Sequence, residues 1–189
     1  MSQPILKIDR RKGWLKGVRR VESPNCDRRP RGTKLELIVI HGISLPPGSF
    51  GGGWIDRFFA NDLPVDADPY FATICDVKVS AHVLIDRGGH LTQYVPFRYR
   101  AWHAGASQFG GRSACNDFSV GIELEGVDDL AYAPEQYARL VHLIASLRHA
   151  YASLRDAPVV GHCEIAPGRK TDPGPAFDWS KLRAALAAG

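Results

Sequence analysis

Apolar and polar positions in this chain follow two periods, and each marks an element. Leu35-Glu36-Leu37-Ile38-Val39-Ile40 is a short aliphatic, β-branched run that predicts a buried strand. His41-Gly42-Ile43-Ser44 follows, and then a Pro- and Gly-rich stretch from Leu45 to Gly53 that no regular element can cross. The pattern therefore puts His41 where a central strand opens into a loop. Trp54 to Ala60 predicts a short helix, and Lys78 to Ile85 with His90 to Val95 predict a hairpin turning at Asp86-Arg87-Gly88-Gly89. Ser119-Val120-Gly121-Ile122-Glu123-Leu124-Glu125 predicts a third strand whose period of two sets Glu123 and Glu125 on one face, Ile122 and Leu124 on the other. Pro134 to Tyr151 predicts a long helix, with proline at its first position and an apolar stripe of Tyr137, Leu140, Val141, Ile144 and Leu147. Val159-Val160-Gly161 is a short strand that delivers His162 from its end, and Ser180 to Ala188 predicts a last helix.

Strand, hairpin, strand, helix, strand, helix is the order of an α/β (α+β) fold: one central mixed sheet flanked by helices. The 189 residues fit a single domain, with residues 1–34 as an irregular, basic lead-in packed on it. The net charge of +4 is concentrated in that lead-in, from Arg10 to Arg31. Pro24 and Pro30 interrupt it and no single helical face gathers the cations, so a nucleic-acid footprint is not expected. No run approaches the roughly 20 apolar residues of a membrane helix, and the first residues carry no signal-peptide pattern. The four cysteines form no Cys-x-x-Cys pair and suit a reducing compartment. The expectation is a cytoplasmic protein, monomeric, with no membrane partner.

Candidate chemistry is concentrated between Gly161 and Pro175, where three prolines and three glycines argue against helix or strand and where His162, Lys170 and Asp172 stand close in sequence. Imidazole nitrogen and carboxylate oxygen are ordinary zinc ligands, and a catalytic zinc takes three protein ligands and leaves a position open. Of the seven histidines, His142 and His149 fall on the polar face of the long helix with Arg139 and Ser146, His90 follows a turn, and His82 lies inside a strand as a hydrogen-bonded core residue. His103 sits in Ala101-Trp102-His103-Ala104-Gly105, a loop suited to holding a ligand against an indole face. His41 and His162, each at a strand end, make a two-histidine, one-carboxylate set with Asp172. Such a site suits amide hydrolysis, which also needs a general base. Glu123 and Glu125 both qualify, although a sheet facing water would leave the same pair merely solvated. Lys170 offers a fixed ammonium for a developing oxyanion, and Arg169 beside it is equally a surface cation.

Several segments taken together, namely His41 after its strand, Val79-Ser80-Ala81-His82, Gln93-Tyr94-Val95-Pro96, Ala101 to Gly105, Cys115 to Gly126 and the 161–175 loop, resemble the AmpD-type 1,6-anhydro-N-acetylmuramoyl-L-alanine amidases. The resemblance runs from about residue 13 to 180. It implies an amidase that cleaves the bond between the lactyl group of anhydro-muramic acid and L-alanine in recycled cell-wall fragments, with an influence on β-lactamase induction in some bacteria. It implies zinc held by His41, His162 and Asp172, Glu123 as base and Lys170 at the oxyanion. Trp102 and His103 are implied as contacts to the sugar or lactyl end, Arg112 or Lys78 as contacts to stem-peptide carboxylates. Gly42 and Ala114 depart from the pattern, which commonly has asparagine and arginine there. The competing readings are an amidase for intact peptidoglycan, a non-catalytic muropeptide-binding module and a polyanion binder.

Overall fold

The computed structural model describes residues 6–188. Residues 6–35 carry four short strands, β1 (Ile8–Asp9), β2 (Trp14–Leu15), β3 (Arg19–Arg20) and β4 (Cys26–Arg28). Next come β5 (Leu37–Ile43), the helices α1 (Trp54–Phe59) and α2 (Pro69–Ile74), and the strands β6 (Val83–Ile85), β7 (Leu91–Gln93) and β8 (Tyr99–Ala101). A small hairpin, β9 (Gln108–Phe109) and β10 (Arg112–Ser113), precedes β11 (Ser119–Glu125). The chain ends with α3 (Pro134–Ala150), β12 (Val159–Gly161), the single turn α4 (His162–Ile165) and α5 (Trp179–Ala187). Among the described residues no helix is long and apolar enough to cross a membrane.

Six strands make the central sheet in the order β12-β5-β11-β6-β7-β3. β12, β5, β11 and β6 run parallel, and β7 turns back antiparallel to β6, so the sheet is mixed as predicted. All seven residues of β11 are buried, as a strand at the centre of a sheet covered on both faces must be. That removes the reading of Glu123 and Glu125 as a solvated strand face. On one face Ile38, Ile40, Val120, Ile122 and Leu124 pack against Leu140, Leu143, Ile144 and Leu147 of α3 and Leu182 of α5. On the other, Leu37 and Val39 meet Val160, Phe118 and Ile165, while Leu84 and Tyr94 meet α1 and α2 through Ile55, Phe59 and Phe71. His41 and Glu123 continue this second face toward the C-terminal ends of the parallel strands, where open α/β sheets bind ligands.

Several expectations change. β5 does not stop at Ile40: its pairing with β11 runs from Leu37 opposite Ser119 to Ile43 opposite Glu125, so His41 is a strand residue rather than the first of a loop. The predicted strand from Lys78 shrinks to Val83–Ile85, because residues 78–82 spend their bonds on scattered partners, among them Ser80 N–H to the Trp102 carbonyl and the Asn25 amide to the Val79 carbonyl. The lead-in is stranded in four places, with β3 at the sheet edge beside β7 and β4 paired with β8. Two- and three-residue strands have no readable period; they are held by distant groups, such as the buried Gln93 side chain, which accepts from Leu15 N–H at 2.7 Å and donates to the Gly13 carbonyl at 3.0 Å. Helix α2 was unexpected, although Asp68 caps it by accepting from Tyr70 N–H and Pro69 starts it. Ser146, placed on the polar face of α3, is buried and accepts from Leu6 N–H.

His82 is fully buried behind the sheet row. Its Nδ1 accepts from Gly121 N–H at 3.0 Å, so Nε2 carries the proton and faces the Tyr99 carbonyl at 3.1 Å, with the Arg29 guanidinium beside it. Burial, reinforced by that guanidinium, pushes the imidazole pKa down to about 3, against about 6.5 in an unfolded chain. Between those values the unfolded chain takes up a proton that the folded one refuses, so stability falls as pH drops through that window. At pH 5 this residue should leave the fold about 1–2 kcal/mol less stable than at pH 7 in chemical unfolding, and His82→Gln should lose that part of the pH dependence.

Candidate metal centre and active site

Parallel pairing of β12 with β5 sets Gly161 opposite Ile40, so the residues that follow each, His162 and His41, come side by side. Their Nδ1 atoms are 3.0 Å apart, and Asp172 Oδ2 lies 3.1 Å from both. Tetrahedral zinc with bonds of about 2.0–2.1 Å spaces its ligand atoms by about 3.3 Å, so three unprotonated donors converging this closely fit such an ion. The predicted loop contains one regular turn, α4, which begins at His162 and is capped as Glu164 Oε1 accepts from Gly161 N–H at 2.7 Å.

The protonation of this set follows from its neighbours. His162 Nε2 faces the Ala104 carbonyl at 3.2 Å; a carbonyl only accepts, so Nε2 holds the proton and Nδ1 presents its lone pair to the site. Burial pushes the His41 imidazole down to about 4 despite the Asp172 carboxylate beside it, and so keeps it neutral as a ligand must be. For Asp172 burial acts upward, but the close His162 and His41 imidazoles outweigh it and hold the carboxyl far below the usual range.

Glu123 stands directly opposite His41 across the β11–β5 ladder. Its Oε2 is buried and has no hydrogen-bond partner among the described residues. Burial first, then the Asp172 carboxylate, push its pKa well above the ordinary carboxylate range, with Lys170 pulling the other way. Glu125, two residues on, is already engaged: it accepts from Gly51 N–H at 2.5 Å and Arg87 N–H at 3.3 Å, tying the glycine-rich 45–53 loop to the sheet. His41, Glu123, His162, Lys170 and Asp172 line one cleft of about 590 Å³, whose apolar wall includes Leu45, Phe58, Tyr70 and Val79.

The other candidates separate. Lys78 is exposed at the rim, between Val77 and Val79 of the cleft wall. Neither Trp102 nor Arg112 lines the cleft: Arg112 pairs with Glu36 and lies over the Phe118 ring at 3.9 Å, and Trp102 bonds toward Asp27. His103 is largely buried beside His41, with Nδ1 2.9 Å from His41 Nε2, and lines the inner wall of the same cleft. Arg169 is structural, donating to the carbonyls of Ala104 at 2.6 Å and Ala106 at 2.7 Å.

Tyr132 went unremarked in the sequence. Its ring lies against Gly42 and Gly126, where any Cβ would run into it, and its hydroxyl donates to the Pro173 carbonyl at 2.9 Å. The glycine at 42 thus makes room for the clamp that holds the Asp172 segment, and glycine inside a strand was the signal for that close approach.

A triad that could hold a metal ion, a buried carboxylate beside it and an open, partly apolar cleft at the C-terminal ends of parallel strands are the parts a hydrolase centre needs. Residues 31–175 match the family model described as N-acetylmuramoyl-L-alanine amidase, and the chain belongs to that family. The chain is 56% identical over 176 residues to the 1,6-anhydro-N-acetylmuramyl-L-alanine amidase AmpD of Salmonella typhimurium (strain SL1344), covering 93% of this chain and 94% of that one. To the AmpD of Escherichia coli (strain K12) it is 55% identical over 171 residues, 90% of this chain and 93% of that one. The crystal structure of a Se-Met AmpD derivative superposes with a TM-score of 0.91 at 52% identity, covering 96% of this chain and 99% of that one. The E. coli amidase AmiD, in complex with anhydro-N-acetylmuramic acid-L-Ala-D-gamma-Glu-L-Lys, superposes with a TM-score of 0.57 at 29% identity over 84% of this chain and 60% of that one.

Gly42→Ala should drive the Tyr132 hydroxyl off the Pro173 carbonyl. The expected result is a loss of about 1–3 kcal/mol in chemical unfolding together with weaker metal retention in a titration.

Proposed function

We propose that this amidase is a zinc enzyme that hydrolyses the amide between the lactyl group of 1,6-anhydro-N-acetylmuramic acid and L-alanine of small muropeptides, acting as a cytoplasmic monomer in peptidoglycan recycling. The observation that carries the reading is the convergence of His41, His162 and Asp172 beside the unpartnered Glu123 carboxyl in one open cleft. Relatives matched over nine-tenths of this chain bear the name of anhydro-muramyl-L-alanine amidases, which supports the substrate.

His41, His162 and Asp172 would hold the ion, which when bound supplies Lewis-acid polarisation and lowers the pKa of water. Glu123 accepts the proton of the attacking water as the C–O bond forms, and returns it to the L-alanine nitrogen as the C–N bond breaks. The second proton of the water leaves the new carboxylic acid for the amine, so the products are a lactyl carboxylate and the ammonium of L-alanine. A carboxyl already raised by burial and by Asp172 is suited to holding that proton between the two steps. Lys170, near enough to bias both Glu123 and His41, places its ammonium toward the oxyanion that develops on the amide carbonyl. At the rim, Lys78 is positioned to meet a stem-peptide carboxylate.

Stoichiometric zinc and chelator-sensitive release of anhydro-muramic acid from anhydro-muramyl tripeptide are the expected results; cleavage that survives complete removal of metal would overturn the zinc reading. Glu123→Gln should keep zinc and lose about 10²–10⁴ in kcat. Asp172→Ala should instead lose zinc itself, and normal metal content in that variant would remove Asp172 from the ligand set.

A further inference from the structure

His103 is largely buried at the inner wall of the cleft, and the row of hydrogen bonds that begins at the metal ligands runs through it. His41 Nε2 meets His103 Nδ1 at 2.9 Å, His103 Nε2 meets Ser119 Oγ at 3.0 Å, and Ser119 Oγ meets the Cys115 carbonyl at 2.6 Å. We propose that His103 and Ser119 are positioning residues that fix His41 in the tautomer whose Nδ1 lone pair faces His162 and Asp172. The inference rests on the zinc reading of that site.

The direction of every bond in the row is set from its far end. A carbonyl has no proton, so the short Ser119–Cys115 contact is filled by the one hydroxyl proton of Ser119. Ser119 Oγ must then accept from His103, which puts the His103 proton on Nε2. The Nδ1 of His103 is left as an acceptor, so His41 Nε2 donates to it and the remaining nitrogen of His41, Nδ1, is bare. His162 reaches the same state in one step, through the Ala104 carbonyl; His41 needs a relay because its nearest partner is itself an imidazole that works either way round.

The surroundings fix the relay in place. Gly121 sits under the His103 ring, where a Cβ would overlap it. Asn116 Oδ1 accepts from the backbone N–H of His103 at 3.1 Å and of Ala104 at 2.8 Å. The loop that carries the relay is thereby the one that supplies the His162 acceptor. Partners of this kind around a metal site typically change metal affinity by 10–100-fold when removed.

The test combines a tautomer measurement with a metal titration. In the zinc-loaded protein labelled with ¹⁵N-histidine, long-range ¹H–¹⁵N correlation spectra should find the His103 proton on Nε2, and the same after chelation. Ser119→Ala removes only a hydroxyl and should raise the zinc dissociation constant about tenfold or more, while kcat/KM at saturating zinc stays close to wild type. His103→Ala should act in the same direction. A His103 proton on Nδ1, or a Ser119→Ala protein that binds zinc as tightly as wild type, overturns the proposal. Wild-type protein that takes up no zinc is a separate result: it sinks the zinc reading, whereas normal binding by wild type and Ser119→Ala alike sinks only the relay.

Discussion

The parallel pairing of β12, β5 and β11 is the constraint on which the site depends. Because the three strands run the same way, their C-terminal ends lie together, and register alone places His162 beside His41 and His41 opposite Glu123. A slip of one residue in any of these strands would turn its functional side chain to the opposite face, among the aliphatic residues packed on α3. The apolar core under α3 therefore protects the chemistry as well as the fold. Ile38, Ile40, Ile122 and Leu124 can bury themselves there only if Val39, His41 and Glu123 point the other way.

Placing so many polar groups at the centre of a covered sheet carries a desolvation cost that hydrogen bonds must offset. His82, His103, Ser119 and Gln93 are each satisfied by a carbonyl, an amide or one another. Glu123 Oε2 has no such partner among the described residues, and it is the atom that the proposed reaction asks to take and return a proton. Its twin Glu125, on the same strand and face, spends its oxygens on the backbone of a loop. Two carboxylates of one sequence motif thus differ because their neighbours differ.

Strong periodicity made much of this legible. Ser119 to Glu125 emerged with its predicted bounds, and the long helix and the Val159–Gly161 strand within a residue of theirs, because their patterns are set by burial on defined faces. The lead-in strands were not legible, since two residues cannot express a period and the groups that pair with them are distant in sequence. The convergence of His41, His162 and Asp172 was a matter of residue type and position at strand ends, but which strands are neighbours is a tertiary fact. The base was undecided between Glu123 and Glu125 on pattern alone, for both share a face; hydrogen bonding from the 45–53 loop separates them. Of the expected substrate contacts, Arg112 is taken up by Glu36 away from the cleft, whereas His103 lies on the cleft wall hydrogen-bonded to His41.

The Ala104 carbonyl accepts from both His162 and Arg169, two residues of the segment that also bears Asp172. That single oxygen makes the 161–175 motif incomplete by itself. A designer wishing to transplant this centre into another scaffold would have to carry over the 101–105 turn with it, and a lineage that altered the turn's backbone path would disturb the metal centre without touching a ligand.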